Sequence, residues 1–439
     1  MATPAIRSSD ADACPGALRL HAAADGPLAR VRLPGGLLTG GQLRAVRELA
    51  EAFGDGRIEL TSRANLQLRA LTGAPVETLG ARLAEAGLLP SATHELVRNI
   101  VASPLPGPGE TAGLRTLVPL LDQALCADPR LADLPGRFLF ALDGGALDVA
   151  RTADVVAVPA AALPGGRAQG EIAILFAGFD AGLRVPAGDV VGALLAAAHA
   201  FLDERTAQTD NERTALADNE RTAQGGAADR AGSTRPAWRV RELVDGPARL
   251  AARVAESLGV DLGAGGAVPE PELREPVGII SQPGGLVALG AVVPLGRVSS
   301  VQIKVLEEAA AIVVTPWRGV VLPGLSPSAA PGWQSGLAAV GLEVRSGSRW
   351  SGVTACAGRP GCAKSLADVR RDATAAVLAG CDGARAVHWV GCARGCGSPA
   401  ASHVRVEATG SGYEVRAGGF SASASADEVG ALVAAARRS

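Results

Sequence analysis

The sequence contains an internal repeat, because two segments about 260 residues apart follow the same strand, helix and strand plan. Each copy opens with a short turn of proline and glycine and continues into a segment with helical spacing of its apolar residues. The matching positions are Pro34-Gly35-Gly36 with Pro294-Leu295-Gly296, Gln42-Leu43 with Gln302-Ile303, and Thr61-Ser62-Arg63 with the neighbourhood of Thr315-Pro316-Trp317-Arg318. This duplication predicts two copies of a half-domain that face each other across a pseudo-two-fold axis.

Each copy is followed by a longer α/β stretch, so we predict an α+β fold with a pseudo-two-fold duplicated architecture. In the first copy, Thr39 is a suitable N-cap for the helix and Gly54 a suitable stop. The predicted regions are a flexible tail over 1–22, a half-domain over 23–77, a first α/β domain over 78–203, a linker over 204–236, a second half-domain with a lead-in helix over 237–346, and a second α/β domain over 347–439.

The linker consists of three eight-residue repeats that begin at Glu204, Glu212 and Glu220 and run into a polar GSTRP stretch. With few large apolar residues, this segment cannot offset the entropy lost on ordering. We interpret it as a helix extension or a disordered linker without a function of its own.

Four of the seven cysteines form a pattern that is typical of a metal centre. Cys356 and Cys362 are separated by five residues, and Cys392 and Cys396 by three. Four thiolates supply one ligand to each iron of a 4Fe-4S cluster, and glycines between the ligands let the backbone curl around the sulfides. Structural zinc is the rival interpretation, but its cysteine pairs usually have shorter spacers. Cys14, Cys126 and Cys381 stand alone and are interpreted as small apolar residues.

The formal net charge of -2 gives no polybasic surface for nucleic acid. The first twenty residues lack the apolar stretch of a secretory signal, and no apolar run is long enough for a membrane span. An odd number of cysteines argues against a disulfide framework. We therefore expect a cytoplasmic protein that does not bind nucleic acid or membranes.

The cysteine pattern, preceded by Thr354-Ala355 and followed by Gly397-Ser398-Pro399, resembles that of sirohaem-dependent sulfite and nitrite reductases. Within that superfamily, the motifs VRLPGG, LTSRANLQLR, HELVRNIVASPLPG, RFLFALDGG and TPWRGVVLPGL are most similar to the precorrin-3B synthase family. The resemblance implies a sulfite/nitrite reductase-like architecture, in which the half-domains are ferredoxin-like and the last domain binds a 4Fe-4S cluster.

The same resemblance implies an oxygen-dependent monooxygenase of aerobic cobalamin biosynthesis. Such an enzyme hydroxylates the C-20 meso carbon of precorrin-3A and forms a γ-lactone. The implied cofactors are the 4Fe-4S cluster and a mononuclear non-haem iron, and the implied partners are precorrin-3A, O2, an external electron donor and the next methyltransferase of the pathway. A sirohaem-dependent nitrite or sulfite reductase, with sirohaem as cofactor, is the alternative.

A tetrapyrrole carries several carboxylates, for which arginine is the natural bidentate partner. Several arginines, with three neutral amides, stand inside the motifs that carry the resemblance. The candidate substrate-binding residues are Arg32, Arg63, Asn65, Gln67, Arg69, Arg98, Asn99, Arg137 and Arg318.

One departure helps to choose within the superfamily. Sulfite reductases have two lysines in a K-x-K arrangement, whereas the corresponding stretch here is Arg137-Phe138-Leu139. The missing second cation disfavours sulfite reduction, and a pocket for a large macrocycle can accept an apolar side chain instead. The histidines form no signature for mononuclear iron, and His94 is a weak candidate. No nucleotide-binding glycine motif is present, so the electron donor is expected to be a separate molecule.

Overall fold

The structure is a computed structural model that describes residues 14–106, 113–165, 170–222, 236–270, 275–399 and 401–438, without the side chains of 211–222. The predictions for residues 1–13 and for the linker over 223–235 lie outside the described residues. The chain divides into two compact units. The first unit consists of residues 93–270, and the second unit consists of residues 15–92 together with 275–438.

The second unit begins with the first predicted half-domain. Its elements are β1 (Ala29–Val31), β2 (Leu37–Leu38), α1 (Gly40–Phe53), β3 (Arg57–Leu60), β4 (Leu66–Leu68) and α2 (Val76–Glu85). Both predicted ends of α1 are confirmed: the Thr39 side chain accepts from the amide of Gln42 in a reciprocal capping box, and Gly54 is the C-cap.

The first unit follows in the chain. Its elements are β5 (Ile100–Ala102), α3 (Val118–Ala127), β6 (Phe140–Leu142), β7 (Val155–Pro159), β8 (Glu171–Phe176), β9 (Arg184–Pro186), α4 (Val190–Thr222) and α5 (Gly246–Leu258). The five strands form one sheet in the order β5-β6-β7-β8-β9, and α3, α4 and α5 contribute to the apolar core beside it.

The chain then returns to the second unit and builds the second half-domain. Its elements are β10 (Gly278–Ser281), β11 (Val287–Ala291), β12 (Arg297–Ser299), α6 (Ser300–Leu306), β13 (Ile312–Val314), β14 (Val320–Leu325) and α7 (Ala330–Ala339). Ser299 and Gln302 cap α6 in the way that Thr39 and Gln42 cap α1. The side-chain amide of Gln302 donates to the Val340 carbonyl at the end of α7 over 3.1 Å. The side-chain amide of Gln42 likewise donates to the Ala86 carbonyl at the end of α2 over 3.1 Å.

The two half-domains exchange one strand each. One sheet has the order β1-β4-β3-β12, and the other has the order β10-β11-β14-β13-β2. Thus β12 pairs with β3 of the first half-domain, while its counterpart β2 pairs with β13 of the second. This reciprocal exchange gives both copies one shared apolar core, and it confirms the predicted pseudo-two-fold α+β architecture.

The remaining part of the second unit carries the cysteine pattern. Its elements are β15 (Val353–Ala355), α8 (Val369–Leu378), β16 (Val387–Val390), β17 (Val404–Thr409), β18 (Gly412–Ala417), β19 (Phe420–Ala424) and α9 (Val429–Arg438). The sheet has the order β15-β16-β17-β18-β19. As in β5–β9, the first two pairings are parallel and the last two are antiparallel.

Three predicted boundaries differ from the observed packing. Ala17, inside the predicted tail, is buried in the core of the half-domains, because residues 14–22 fold back as His21 bridges to Leu28. Helix α2, predicted to open the first α/β domain, packs Leu79 and Leu83 into the same half-domain core.

The predicted lead-in helix α5 belongs to the first unit, because its apolar face packs into the core of that unit and Arg249 pairs with Glu204 of α4 over 2.6 Å. Helix α4 continues into the eight-residue repeats as far as Thr222. The other domain boundaries stay predictions. Among the described residues, no helix combines the length and the apolar character needed to span a membrane.

Candidate functional site

The four cysteines follow two neighbouring parallel strands of the second unit. Cys356 comes directly after β15, and Cys392 comes two residues after β16. These strands pair in parallel with Thr354 opposite His388, so their carboxyl ends lie at the same edge of the sheet. Cys362 and Cys396 are carried by the loops that extend from those ends. The fold therefore gathers all four thiols on one side of this sheet.

Backbone hydrogen bonds hold the loop that begins at Cys356. The Cys356 amide donates to Trp389 over 2.9 Å, and the Gly391 amide donates to the sulfur of Cys356 over 3.2 Å. Hydrogen bonds from N–H groups to cysteine sulfur are a feature of iron–sulfur sites, where they stabilise the charge on the sulfur and tune the potential. Arg370 Nε adds a hydrogen bond to the Cys356 carbonyl over 3.1 Å.

The thiols also interact electrostatically. The pKa of the Cys396 thiol is raised above its usual value. Partial burial is the main cause, and the charges of Cys356, Cys392 and Cys362 add to it, while Arg394 opposes it. No three His, Cys, Asp or Glu side chains among the described residues are arranged around a single metal ion. A 4Fe-4S cluster binds each thiolate to a different iron, so its ligands stand farther apart than those of one ion.

His388, on β16, contacts the loop of Cys396 and is fully buried. Its Nε2 lies 3.1 Å from the Cys396 carbonyl oxygen, and its Nδ1 lies 2.8 Å from Oγ1 of Thr354. Burial, reinforced by the charge of Arg318, lowers the pKa of His388 to about 3, so the ring is neutral. The sequence signal that points to this residue is a single histidine in the otherwise apolar run Val387–Val390.

Arg318 reaches the same loop from the second half-domain, where its Nη2 donates to the Gly397 carbonyl over 3.1 Å. Its φ of 64° lies in the left-handed region, which costs an ordinary residue roughly 1–2 kcal/mol. The same hairpin position in the first half-domain is occupied by Ala64, with a φ of 56°. Arg318 is thus the structural counterpart of Ala64. The sequence comparison had matched this neighbourhood with Arg63, which is one residue earlier.

A buried carboxylate, Glu59 on β3, gathers arginines from several elements of the second unit. Its Oε1 lies 2.6 Å from Nη1 of Arg370, 3.6 Å from Nε of Arg297 and 3.9 Å from Nε of Arg69. Burial alone would raise the pKa of Glu59, but Arg370, Arg69 and Arg297 lower it below the usual value. Gln67 completes the shell with a 2.8 Å hydrogen bond to the other carboxylate oxygen.

Further contacts extend this group. Arg69 forms a bidentate pair with Asp25 and donates to the Gly361 carbonyl over 2.7 Å. Arg297 donates to Asp55 over 2.9 Å, and Arg30 donates to Gln67 over 2.8 Å. We call the guanidinium groups of this region the arginine cluster, which consists of Arg30, Arg69, Arg297, Arg318 and Arg370. Three of these arginines, Arg69, Arg297 and Arg370, pair with the carboxylates of Asp25, Asp55 and Glu59.

The sequence predicted part of this region and missed part. Of the candidate residues, Gln67, Arg69 and Arg318 lie in or against the arginine cluster, while Arg30, Glu59, Arg297 and Arg370 were not singled out. Arg32 is buried after β1, and Arg63 is half-buried in the hairpin between β3 and β4. Asn65 supports the turn after β1 by accepting from the Leu33 amide over 2.8 Å.

The other candidates lie in the first unit. Arg98 is buried in a bidentate pair with Asp122, with both distances at 2.7 Å, and the Asn99 amide donates to two backbone carbonyls. Arg137 is exposed and lies over the Trp238 ring at 4.9 Å, whereas Leu139 is buried in the core. Leu139 was predicted to line an apolar pocket, but its side chain packs into the core of the first unit instead. The substrate-binding roles stay predictions.

His94 is a core residue in this structure. Its Nδ1 lies 3.0 Å from the Thr93 hydroxyl, and its Nε2 lies 2.9 Å from the carbonyl oxygen of Asp128. With both ring nitrogens engaged, His94 has no lone pair directed at a metal ion. The weak assignment of His94 to mononuclear iron is not supported by these contacts.

The first unit has a polar network at the corresponding edge of its own sheet. Ser103 follows β5, donates to Asp148 over 2.5 Å and accepts from the Gly144 amide over 2.9 Å. Asp143, which follows β6, accepts from the amides of Gly145, Leu147 and Val149. Burial, reinforced by the charge of Asp143, raises the pKa of Asp148 to about 7.

The fold and the half-domain sequence define the class of protein. Residues 21–86 match the nitrite/sulfite reductase ferredoxin-like half-domain family. The structure is similar to that of the Mycobacterium tuberculosis NirA protein, with a TM-score of 0.71 at 20% identity over 93% of this chain and 79% of that one. The half-domain sequence and the fold are therefore similar to those of nitrite and sulfite reductases.

Two relatives of similar sequence have names that state an enzymatic activity. The chain is 27% identical over 414 residues to the precorrin-3B synthase of Sinorhizobium sp. This alignment covers 93% of this chain and 83% of the relative. The chain is 27% identical over 399 residues to the ferredoxin–nitrite reductase of Synechococcus elongatus, which covers 85% of this chain and 74% of the relative. Both relatives are oxidoreductases, and the equal identities do not decide between their reactions.

Proposed function

We propose that the chain is an oxidoreductase of the precorrin-3B synthase type. In this proposal it hydroxylates the C-20 meso carbon of precorrin-3A and forms a γ-lactone. One oxygen atom of O2 enters the product, and the other leaves as water, which takes up two electrons from an external donor and two protons. Cys356, Cys362, Cys392 and Cys396 hold a 4Fe-4S cluster, which supplies one-electron transfer when it is bound.

The observation that carries the proposal is the gathering of arginines around Glu59. Arg69, Arg297 and Arg370 all approach this one carboxylate, and such a concentration of guanidinium groups favours a ligand with several carboxylates. A tetrapyrrole with acetate and propionate side chains has this chemistry. The extended similarity to the Sinorhizobium precorrin-3B synthase supports the same substrate class.

The residues of the chain have distinct tasks in this proposal. Arg318 is the member of the arginine cluster that contacts the Cys396 loop, so it is a candidate to bind a substrate carboxylate close to the cysteines. Arg32 and Arg63 add positive charge from β1 and the β3–β4 hairpin. Glu59 keeps the neighbouring guanidinium groups fixed, so that they need little reorganisation when an anion binds.

The proposal is tested by incubating anaerobically purified protein with precorrin-3A, a reductant and isotope-labelled dioxygen. We expect a product that is heavier by one labelled oxygen atom and contains the lactone. A protein with an intact cluster that leaves precorrin-3A unchanged contradicts the proposal. An additional mononuclear iron is part of it, and iron analysis in excess of the cluster content tests that part.

A sirohaem-dependent nitrite or sulfite reductase is the second candidate, favoured by the similarity to the Synechococcus ferredoxin–nitrite reductase and by the exposure of Cys396. An exposed cysteine at this place can bridge a cluster to a second iron centre. The absorbance spectrum separates the candidates, since tightly bound sirohaem gives sharp bands that a 4Fe-4S cluster lacks. Reduction of nitrite by the purified protein with an artificial donor would favour this candidate.

A further inference from the structure

Three side chains from outside hold the loop that carries Cys396. Arg405 contacts the carbonyl of Ala393 near its start over 3.0 Å. Two contacts are made at Cys396 itself: His388 contacts the carbonyl of Cys396, and Arg318 contacts the carbonyl of the next residue, Gly397, each over 3.1 Å. Cys396 itself is exposed, and no helix or strand contains it. These two contacts therefore have a direct influence on where its sulfur lies.

The hydrogen bonds of His388 have only one consistent direction. A carbonyl oxygen can only accept, so Nε2 must carry the proton that is donated to Cys396. In a neutral ring Nδ1 then has a lone pair, and the Thr354 hydroxyl must donate to it over 2.8 Å. The same hydroxyl lies 3.3 Å from the Val387 carbonyl, which is the longer and weaker contact. Thr354 thus fixes the tautomer in which His388 holds the loop.

The sheet of the first unit provides an internal comparison. The amide of Ser103 donates to Leu142 over 3.0 Å just as that of Cys356 donates to Trp389, so the two sheets align residue by residue. The pair opposite each other in the first unit is Val101 and Ala141, where the second unit has Thr354 and His388. The polar pair is present only in the sheet whose loops carry cysteines.

Arg318 shows the same contrast between the half-domains. A Cβ on Gly296 would lie 2.9 Å from Cβ and Cδ of Arg318, and a Cβ on Gly397 would lie 3.0 Å from its Nη2. Both glycines, which have positive φ angles, leave room for the arginine. The first half-domain has only a methyl group, that of Ala64, at the corresponding place. The long side chain is again found only on the side that contacts the Cys396 loop.

We propose that His388 is a positioning residue for the cluster, which fixes the Cys396 loop through the tautomer set by Thr354, with Arg318 as a second support. In this role His388 holds the sulfur of Cys396 in place during electron transfer and substrate binding. This inference rests on the cluster assignment of the proposed function, and it is independent of which substrate is oxidised.

The test compares iron retention in air, the electron paramagnetic resonance spectrum and the midpoint potential of reduced protein for three variants. His388→Leu removes the donor, and we expect cluster iron to be lost about 10-fold faster with an altered spectrum. His388→Gln keeps an N–H at the place of Nε2, and we expect near wild-type retention. Thr354→Val keeps the volume but frees the tautomer, and we expect an intermediate rate of loss and a shifted midpoint potential.

The matched control is His403→Leu, because the His403 ring lies 6.2 Å from that of His388 but is hydrogen-bonded to Ala401. We expect wild-type iron retention in this control. Wild-type retention in His388→Leu, or equally fast loss in His388→Gln, overturns the inference. If His388→Leu does not fold, wild-type behaviour of Thr354→Val overturns it instead. A wild-type protein that binds no sulfide overturns the proposed function, which is a distinguishable result.

Discussion

The two five-stranded sheets, β5–β9 in the first unit and β15–β19 in the second, have the same strand order and directions but different chemistry at one edge. Gly391 donates its amide to the sulfur of Cys356 over 3.2 Å, and Gly144 donates its amide to the hydroxyl of Ser103 over 2.9 Å. Both folds therefore place a glycine amide that donates a hydrogen bond at this position. Its acceptor is a cysteine sulfur in the second unit and a serine hydroxyl of a polar network in the first.

The same comparison explains how each edge is stabilised. In the first unit, Ser103, Asp143 and Asp148 close the loops with hydrogen bonds to side chains and amides. In the second unit, Arg370, His388 and Arg318 contact the cysteine loops from outside. A bound cluster would supply the cross-links that hydrogen bonds supply in the first unit.

The largest expected effect is the loss of a cluster ligand. Replacing Cys362 or Cys396 by alanine should abolish cluster incorporation, because a 4Fe-4S cluster needs a thiolate for each iron in this site. Absorbance and iron content check the result. Cys126→Ala, in helix α3 of the first unit, is the control and should keep full iron content. Retention of the cluster in either ligand variant would refute the assignment.

The next effect concerns the support of the cysteine loops from the half-domain. Glu59→Gln removes the carboxylate that pairs with Arg370, which in turn contacts Cys356. Because several guanidinium groups then lose their counter-charge, we expect a loss of about 3 kcal/mol in unfolding free energy. Chemical denaturation measures it. Glu51→Gln removes an exposed carboxylate paired with Arg47, and should cause no measurable change.

A smaller effect is expected from the network of the first unit. Ser103→Ala removes the hydroxyl that donates to Asp148 and accepts from Gly144, so the unfolding free energy should fall by about 2 kcal/mol. Iron content should not change, because this edge holds no cluster. The control Ser257→Ala removes a hydroxyl bonded to a single carbonyl within α5. An equal loss in both variants would argue against a network.

The smallest effect is a pH dependence that belongs to the first unit. Because the pKa of Asp148 is raised to about 7, the folded state keeps a proton that the unfolded state releases near pH 4. Asp148 therefore destabilises the fold increasingly as the pH rises from about 4 to 7.

Asp148→Asn should accordingly stabilise the protein by about 1 kcal/mol at pH 8, and by less at pH 5, as measured by urea denaturation at both values. Asp133→Asn, at an exposed position of the same unit, is the control and should show no such difference. A gain that is the same at both pH values would contradict the raised pKa.

Much of the fold could be predicted because the repeat and its helix caps are local signals. Thr39, Gln42, Gly54 and the proline turns specify their elements within a few residues. The strand exchange could not be predicted, since β2 and β12 are two and three residues long and their partners lie in the other copy. The places of α2 and α5 likewise depend on which core receives their apolar faces.

The site shows the same division. The cysteine spacing predicted that the four thiols lie together, and the structure places all four in the loops after two neighbouring strands. The arginine cluster depends on contacts between residues as distant in sequence as Glu59, Arg297 and Arg370, which no spacing reveals. Arg98 and Arg137 were chosen by resemblance, and the structure shows what their neighbours are: a half-buried carboxylate for Arg98 and an indole ring for Arg137.

The contrast between the two sheets is tested most directly by measuring iron and acid-labile sulfide in anaerobically purified protein, together with the paramagnetic resonance spectrum after reduction. We predict about four sulfide ions per chain and the signal of one reduced 4Fe-4S cluster. Bound zinc, or iron without sulfide, would contradict the assignment of the β15–β19 edge as a cluster site.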